Sequence, residues 1–308
     1  MLHQEATYNL TIDPDLAGQR IDNFLFHSLK GVPKSRIYRM LRQGEVRINK
    51  QRVLPSYKIQ AKDIVRIPPV WRLDNPHNKS PGKKLRELML QSIIFEDHKI
   101  LAINKPAGIA SHSGSGINFG VIEILRAARP ELKNLELVHR LDKDTSGCLI
   151  LAKKRTVLRE LHQLIRDAAI LKKYLLLVRG RWCGGKRVVN APLVKNNACA
   201  GTHLVSVAKN AVTIFRPLKI GEKMSLIEAE LQTGRTHQIR LHAAYINHPI
   251  AGDKKYGDKK FNQQARQLGL DRLFLHANLV QFKWLDGSNT KIVVPLDQRL
   301  TKLNIKFK

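Results

Sequence analysis

The sequence predicts an α+β fold in two parts: a small N-terminal α/β module over residues 16–70 and, after a linker at 71–86, a larger domain at 87–308 with a mixed, mostly antiparallel sheet flanked by helices and loops. Three observations carry that prediction. The module holds two segments of helical period followed by short strands of period two. A Pro-, Asn- and Lys-rich run with no sustained period comes next. Beyond it strands and helices mix without the regular alternation of a doubly wound sheet.

In the module, Ile21, Leu25 and Leu29 recur at helical spacing, and Ile37 and Leu41 do so in a second helix opened by Pro33. Strands are predicted at 46–48 and 63–67. In the larger domain, residues 100–104 read as a strand ended by Lys105-Pro106-Ala107-Gly108, and 119–128 as a helix that stops before Pro130. A helix follows at 155–169, then a strand at 174–178 that is apolar on both faces, with Gly184-Gly185 suggesting a hairpin return into Val188-Val189. In the strand at 224–231, Ile227, Ala229 and Leu231 alternate with Glu228 and Glu230; a helix at 236–246 comes after it, and 292–294 is the predicted last strand.

A formal net charge of +29 on 308 residues, with a pI near 10.3, creates a potential that attracts polyanions, so nucleic acid is the expected partner. An anionic membrane is the competitor, but there is no apolar run of spanning length, no bulky amphipathic stripe and no signal peptide, and a cytoplasmic protein is expected. Self-repulsion at this charge favours a monomer. Cys148, Cys183 and Cys199 are too scattered for a disulfide framework or a zinc site. His237, His242 and His248 lack the i, i+4 spacing of helical metal ligands, and Gly114, Gly116 and Gly120 miss a dinucleotide-binding pattern by one residue. No metal and no cofactor is expected.

Chemistry concentrates in two strings. The run His139-Arg140-Leu141-Asp142-Lys143-Asp144-Thr145-Ser146-Gly147 lies between the apolar segments 137–138 and 148–152, so Asp142 sits in a turn fixed by buried strands. Alone, an Arg-x-Asp in a turn is usually a solvated charge cluster. The second string is Thr233-Gly234-Arg235-Thr236-His237-Gln238-Ile239-Arg240, where Gly234 permits a tight turn and Arg235 stands at a helix start, placed to be aimed across a cleft at Asp142. In isolation, Thr233 or Thr236 capping the helix with Arg235 covering a sheet edge would be the better explanation of that string. On the second helix of the module, Arg36 and Arg39 with Gln43 fall on one side and Ile37 and Leu41 on another, leaving a basic face free to meet phosphate.

The two strings, in this order, resemble the HRLD and TGRTHQIR motifs of the RNA pseudouridine synthases that modify ribosomal RNA, and the segment from Gly18 to Asn49 resembles the S4-type RNA-binding module. The resemblance covers nearly the whole chain, extending to Tyr256-Gly257-Asp258 and Leu275-His276-Ala277, and points to the branch acting on 23S ribosomal RNA. It implies that uridine is isomerised to pseudouridine without a cofactor. Asp142 is then the catalytic carboxylate, attacking C1′ or C6 or assisting ribose deprotonation, with Arg235 as its counter-ion. Tyr174 lies against the target base, although Leu176 stands where relatives carry Ala. Arg140 fills the space left by the extruded nucleotide. The S4-like helix implies RNA contacts from Lys34, Arg36, Arg39 and Arg42. Two rivals are a glycoside hydrolase using Asp142 with Asp144, which lie too close along the chain to flank a bond, and a non-catalytic ribosome-associated RNA-binding protein.

Overall fold

The computed structural model describes residues 2–29, 31–73, 80–114, 117–132, 134–193, 210–296 and 298–301. Cys199, the middle of the expected linker and the Lys-rich tail lie outside the described residues. The chain divides into two compact units, Met1–Ser80 and Pro81–Lys308.

The first unit contains β1 (Leu2–Glu5), β2 (Tyr8–Thr11), α1 (Ile21–Ser28), α2 (Lys34–Gln43), β3 (Arg47–Ile48), β4 (Ile64–Ile67) and β5 (Val70–Leu73). Strands β2, β4 and β3 form an antiparallel sheet in that order, and β1 pairs with β5. Pro33 occupies the N-cap of α2, where its fixed φ suits a helix start, and Gly44 closes the helix in the left-handed region at φ 71°. The apolar stripe read from the sequence is the core: Ile21, Leu25 and Leu29 meet Ile37, Met40 and Leu41 over Val65 and Ile67. Two expected boundaries move. The unit begins before residue 16, because β2 pairs with β4, and the linker at 71–86 is shortened at both ends by β5 and by a helix from Lys83. Composition hides these elements because their partners are distant in the chain.

The second unit runs α3 (Lys83–Gln91), β6 (Ile93–Glu96), β7 (Ile100–Lys105), α4 (Val121–Ala128), β8 (Glu136–Leu137), β9 (Ser146–Ala152), α5 (Arg155–Arg166), β10 (Leu171–Arg179), β11 (Arg187–Asn190), β12 (Val212–Ile220), β13 (Met224–Leu231), α6 (Gln238–Tyr245), α7 (Lys259–Gln267), β14 (Leu275–Lys283), β15 (Asn289–Val293) and α8 (Gln298–Thr301). One mixed sheet has the order β11-β12-β13-β10-β14-β9-β7-β6, with β15 added to β14 and β8 to β9. The pairs are antiparallel except β14 with β9, which is parallel. Strand β9 is buried at every position, as its unbroken apolar run requires.

The hairpin expected at Gly184-Gly185 does not form. Both edges of β10 are taken by β13 and β14, so β11 pairs with β12 at the far side of β13. Strand β12 escapes the sequence reading because Pro217 interrupts it; the ladder absorbs that proline as a register shift between Pro217 and Lys219. A second shift, between Lys173 and Tyr174, lies beside a residue singled out for function.

The parallel pair depends on Gly147. Its φ is 108°, and a Cβ there would stand 2.2 Å from the carbonyl oxygen of Ala277 on β14. Gly147→Ala is expected to destabilise the second unit by about 3 kcal/mol or more, because backbone rather than a flexible side chain must yield. Urea unfolding of the purified variant measures this, and a loss below ~1 kcal/mol would contradict it.

Candidate active site

Asp142 lies in the turn between β8 and β9, and this turn is tied down from below. The Ser111 hydroxyl donates to the Leu141 carbonyl (2.8 Å) and accepts from the Leu141 N–H (3.0 Å). Lys105, fully buried, donates from Nζ to the carbonyls of Pro106 (2.8 Å), Ile109 (2.7 Å) and Lys143 (3.1 Å). Burial pushes this lysine down to about 7, against the charges of Asp144 and Asp142. His139 accepts the Ile150 N–H at Nε2 (3.2 Å); burial, with Lys172 nearby, pushes it down to about 4, so it is a neutral packing residue.

The turn after β13 is fixed by Gln238, which accepts from the Thr233 hydroxyl (2.8 Å) and the Arg235 N–H (3.0 Å) and donates to the Val212 carbonyl (3.0 Å). Arg235 is exposed and donates to the Asn210 carbonyl at 3.3 Å. The counter-ion assigned to Asp142 from the sequence is therefore corrected. Arg240, on the inward side of the first turn of α6, brings Nη1 to 3.7 Å from Asp142 Oδ2, while Nε and Nη2 grip Asp253 at 2.7 and 2.8 Å. Asp253 also accepts from the N–H groups of Lys255 (2.9 Å) and Tyr256 (3.0 Å). Burial opposes charge on both members of this pair, but their mutual bonds outweigh it: Arg240 is raised and Asp253 lowered from their ordinary values. The sequence signal for Arg240 is its place in the helix beside Ile239 and Ala243, both buried.

His237 stands beside Asp142 as well, with Nε2 3.8 Å from Oδ2 and Nδ1 3.0 Å from the Tyr256 hydroxyl. Its backbone is left-handed, φ 57°, which is uncommon for a residue with a side chain. Burial lowers its pKa, with Asp142 opposing and Arg240 and Lys255 assisting.

A cavity of about 420 Å³ opens over Asp142, within the range of small-molecule sites. It brings together Asp142, Tyr174, Arg140 and Arg235, all named from the sequence, and adds Arg240 and His237. Val138, Leu141, Ile165, Leu231 and Leu275 supply apolar lining, and Arg166 and Lys172 add positive charge. Tyr174 is buried, and burial, with Asp142 nearby, raises its hydroxyl, which stays protonated at neutral pH. Arg140 is exposed at the cavity. No three His, Cys, Asp or Glu side chains among the described residues cluster as metal ligands.

In the first unit, Lys34, Arg39 and Arg42 are exposed on α2, with Lys34 Nζ 5.3 Å from the Phe26 ring. Arg36 differs from the expectation of a free cation. It makes a two-pronged ion pair with Glu45 at 2.7 and 2.6 Å, which fastens the first turn of α2 to the chain entering β3.

A carboxylate held by an arginine at the floor of a cationic cavity, in a chain that also carries a basic helical module, defines an enzyme acting on nucleic acid. Residues 99–245 match the family pattern described as RNA pseudouridylate synthase, and residues 19–65 match the S4 domain. The chain is 52% identical to the ribosomal large subunit pseudouridine synthase C of Pasteurella multocida, over 97% of this chain and 93% of that protein. It is 48% identical to the Haemophilus influenzae protein of the same name, over 97% and 94%. Among solved structures, human RNA pseudouridylate synthase domain containing 4 aligns with a TM-score of 0.60 at 25% identity, covering 72% of this chain and 97% of that one. The chain belongs to the RNA pseudouridine synthase family, and it is an isomerase.

The buried Lys105 is the most consequential tie beneath Asp142. Lys105→Met is expected to lower the unfolding free energy by about 3 kcal/mol, since three carbonyls lose a charged donor. Lys143→Met, at the exposed side chain adjacent to Asp142 in sequence, is expected to change it by less than ~0.5 kcal/mol. Urea titrations of the two variants test the contrast.

Proposed function

We propose that this protein converts specific uridines of 23S ribosomal RNA to pseudouridine, with Asp142 as the reacting carboxylate. The observation that carries the proposal is the Asp142–Arg240 arrangement at the cavity floor, 3.7 Å apart, in a chain about half identical to large-subunit synthases along nearly its full length. Isomerisation breaks the N1–C1′ bond, turns the uracil while it stays trapped, and joins C5 to C1′. The C5 hydrogen is lost and N1 gains one, so neither oxidant nor nucleotide is consumed. The chain has to hold the base, keep water from the open ribose and offer one carboxylate.

Arg240 attracts the Asp142 carboxylate by charge, yet at 3.7 Å it does not tie up the oxygen with a short hydrogen bond, which leaves the carboxylate able to react. Tyr174 stacks against the uracil from the cavity wall. Arg140, exposed at the rim, occupies the stack vacated by the flipped nucleotide, offsetting a few kcal/mol of lost stacking. Arg235, outside hydrogen-bonding reach of the carboxylate, serves the cavity mouth. The protein works as a monomer in the cytoplasm, in keeping with its charge and with the absence, among described residues, of a helix long and apolar enough to cross a membrane.

The test is incubation with 23S RNA followed by a pseudouridine-specific chemical label, since the isomers have the same mass. Asp142→Asn is expected to abolish labelling while leaving RNA affinity near wild type. Arg240→Ala should cost roughly 100-fold or more, and Arg235→Ala roughly tenfold or less. Adding Arg240→Ala to Asp142→Asn should change little, because the two act as a unit. Wild-type-like turnover by Asp142→Asn would remove the assignment.

Docking is separable from chemistry. Replacing Lys34, Arg39 and Arg42 together by Ala is expected to reduce the salt dependence of RNA binding by roughly two to three units of slope, with the saturated rate preserved. Arg36→Ala should leave the slope nearly unchanged and lower stability by about 0.5 kcal/mol through loss of the Glu45 pair. Binding titrations across salt concentrations give the slopes, and a collapse of the saturated rate in the triple variant would overturn this division of labour.

A further inference from the structure

One nitrogen of His237 is hydrogen-bonded and the other faces a carboxylate, and together these contacts favour one position for its hydrogen. Nε2 faces Asp142 Oδ2 at 3.8 Å, and Nδ1 lies 3.0 Å from the Tyr256 hydroxyl. A neutral imidazole carries one N–H, and the bond made at one nitrogen fixes the other. If Nδ1 bore the hydrogen, a lone pair at Nε2 would point at an anionic oxygen. If Tyr256 donates to Nδ1, Nε2 bears the hydrogen and meets Asp142 favourably. Arg240 Nη1 approaches the same oxygen, Oδ2, at 3.7 Å. Tyr256 is itself fixed: its N–H is held by Asp253, and Arg240 and Lys255 lie over its ring at 5.0 and 5.1 Å.

We propose that Tyr256 and His237 form a positioning relay, in which the tyrosine hydroxyl keeps the imidazole hydrogen on Nε2 so that Asp142 is held at Oδ2 and presents Oδ1 to the nucleotide. The proposal rests on the synthase reading above and adds two residues to it. It accounts for the left-handed backbone at His237: that conformation, φ 57° and ψ 20°, immediately before α6 places the ring between Asp142 and Tyr256. Neither residue needs to touch the substrate.

Tyr256→Phe removes only the hydroxyl and keeps the ring beneath its cations. It is expected to lower kcat for a 23S RNA substrate roughly tenfold with KM little changed, because the carboxylate is misaimed rather than the RNA released. The distinguishing readout is pH. Without the hydroxyl the neutral ring is no longer restricted to one tautomer, whereas protonated histidine bears hydrogen on both nitrogens, so the variant regains a full Nε2–H as pH falls through the His237 pKa. That pKa lies below the ordinary imidazole range: burial, Arg240 and Lys255 lower it, and Asp142 and Asp253 oppose them. The ratio of variant to wild-type kcat should rise towards one on the acid side. A merely structural role for Tyr256 gives a ratio independent of pH, and that result overturns the relay.

His237→Gln supplies an amide N–H that has no tautomer to set. It is expected to keep more activity than His237→Ala, and adding Tyr256→Phe to it should cost no further activity. An equal tenfold loss in both backgrounds also overturns the relay. Thermal melting checks that each variant folds, and the pH ratio of Tyr256→Phe decides alone if His237→Gln does not. Wild-type turnover is the control. Absence of pseudouridine from wild type would remove the synthase reading itself, whereas normal wild-type turnover with a flat ratio removes only the relay.

Discussion

The buried guanidinium of Arg240 is the constraint around which the site is arranged. Removing such a charge from water costs several kcal/mol unless its donors are matched. Asp253 matches two of them at 2.7 and 2.8 Å, and in turn accepts the N–H groups of Lys255 and Tyr256. One bidentate pair therefore sets the helix α6, the loop after it and the Tyr256 ring. A lysine could not do this, since the arrangement uses two edges of a planar fork, one for Asp253 and one for Asp142. The unequal distances also divide the work: Asp253 is held tightly and supports the structure, while Asp142 at 3.7 Å is oriented and left free.

That division needs a rigid frame, because Asp142, Tyr174 and Arg240 arrive from three separate elements. The frame is the sheet, in which β10 lies between β13 and β14, and β14 reaches β9 through the parallel contact at Gly147. The turn bearing Asp142 leads directly into β9, so the glycine that admits Ala277 also fixes where the carboxylate emerges. Ser111 and Lys105 hold the same turn from the opposite side. The polar turn is thus anchored at both ends in buried backbone, which limits the motion available to the Asp142 carboxylate.

Much of this was legible where the signal is local. The periodic apolar stripes of α1 and α2, the unbroken run of β9 and the alternation of β13 each follow from which faces meet the core. Asp142, Tyr174 and Arg140 could be named because they sit in or beside strings that match long motifs, and the cavity brings them together. What failed was pairing between distant parts. Arg235 and Arg240 both follow the same glycine, and only the helix phase tells which points inward. Arg36 looked like a free cation because its partner, Glu45, comes nine residues later and beyond a left-handed turn. Lys105 read as part of a strand-ending turn, although its ammonium group is the post that three carbonyls share. The order of β11 and β12 depends on which edges are already occupied, information that no window of sequence holds.

Two electrostatic scales operate in the same molecule. The +29 net charge acts at long range, draws RNA in, and is screened over roughly 8 Å at physiological ionic strength. The field at Asp142 comes from Arg240 and His237 within 4 Å, partly out of solvent, where salt has far less influence. Strong attraction for a polyanion does not by itself orient a carboxylate, and a net charge of this size would surround an unsupported one with competing cations. The cavity resolves the conflict by committing its nearest guanidinium to Asp253 first. Cations at the rim such as Arg140 can then engage a polyanion without drawing Asp142 off its position, so binding strength and the geometry of the carboxylate can vary independently.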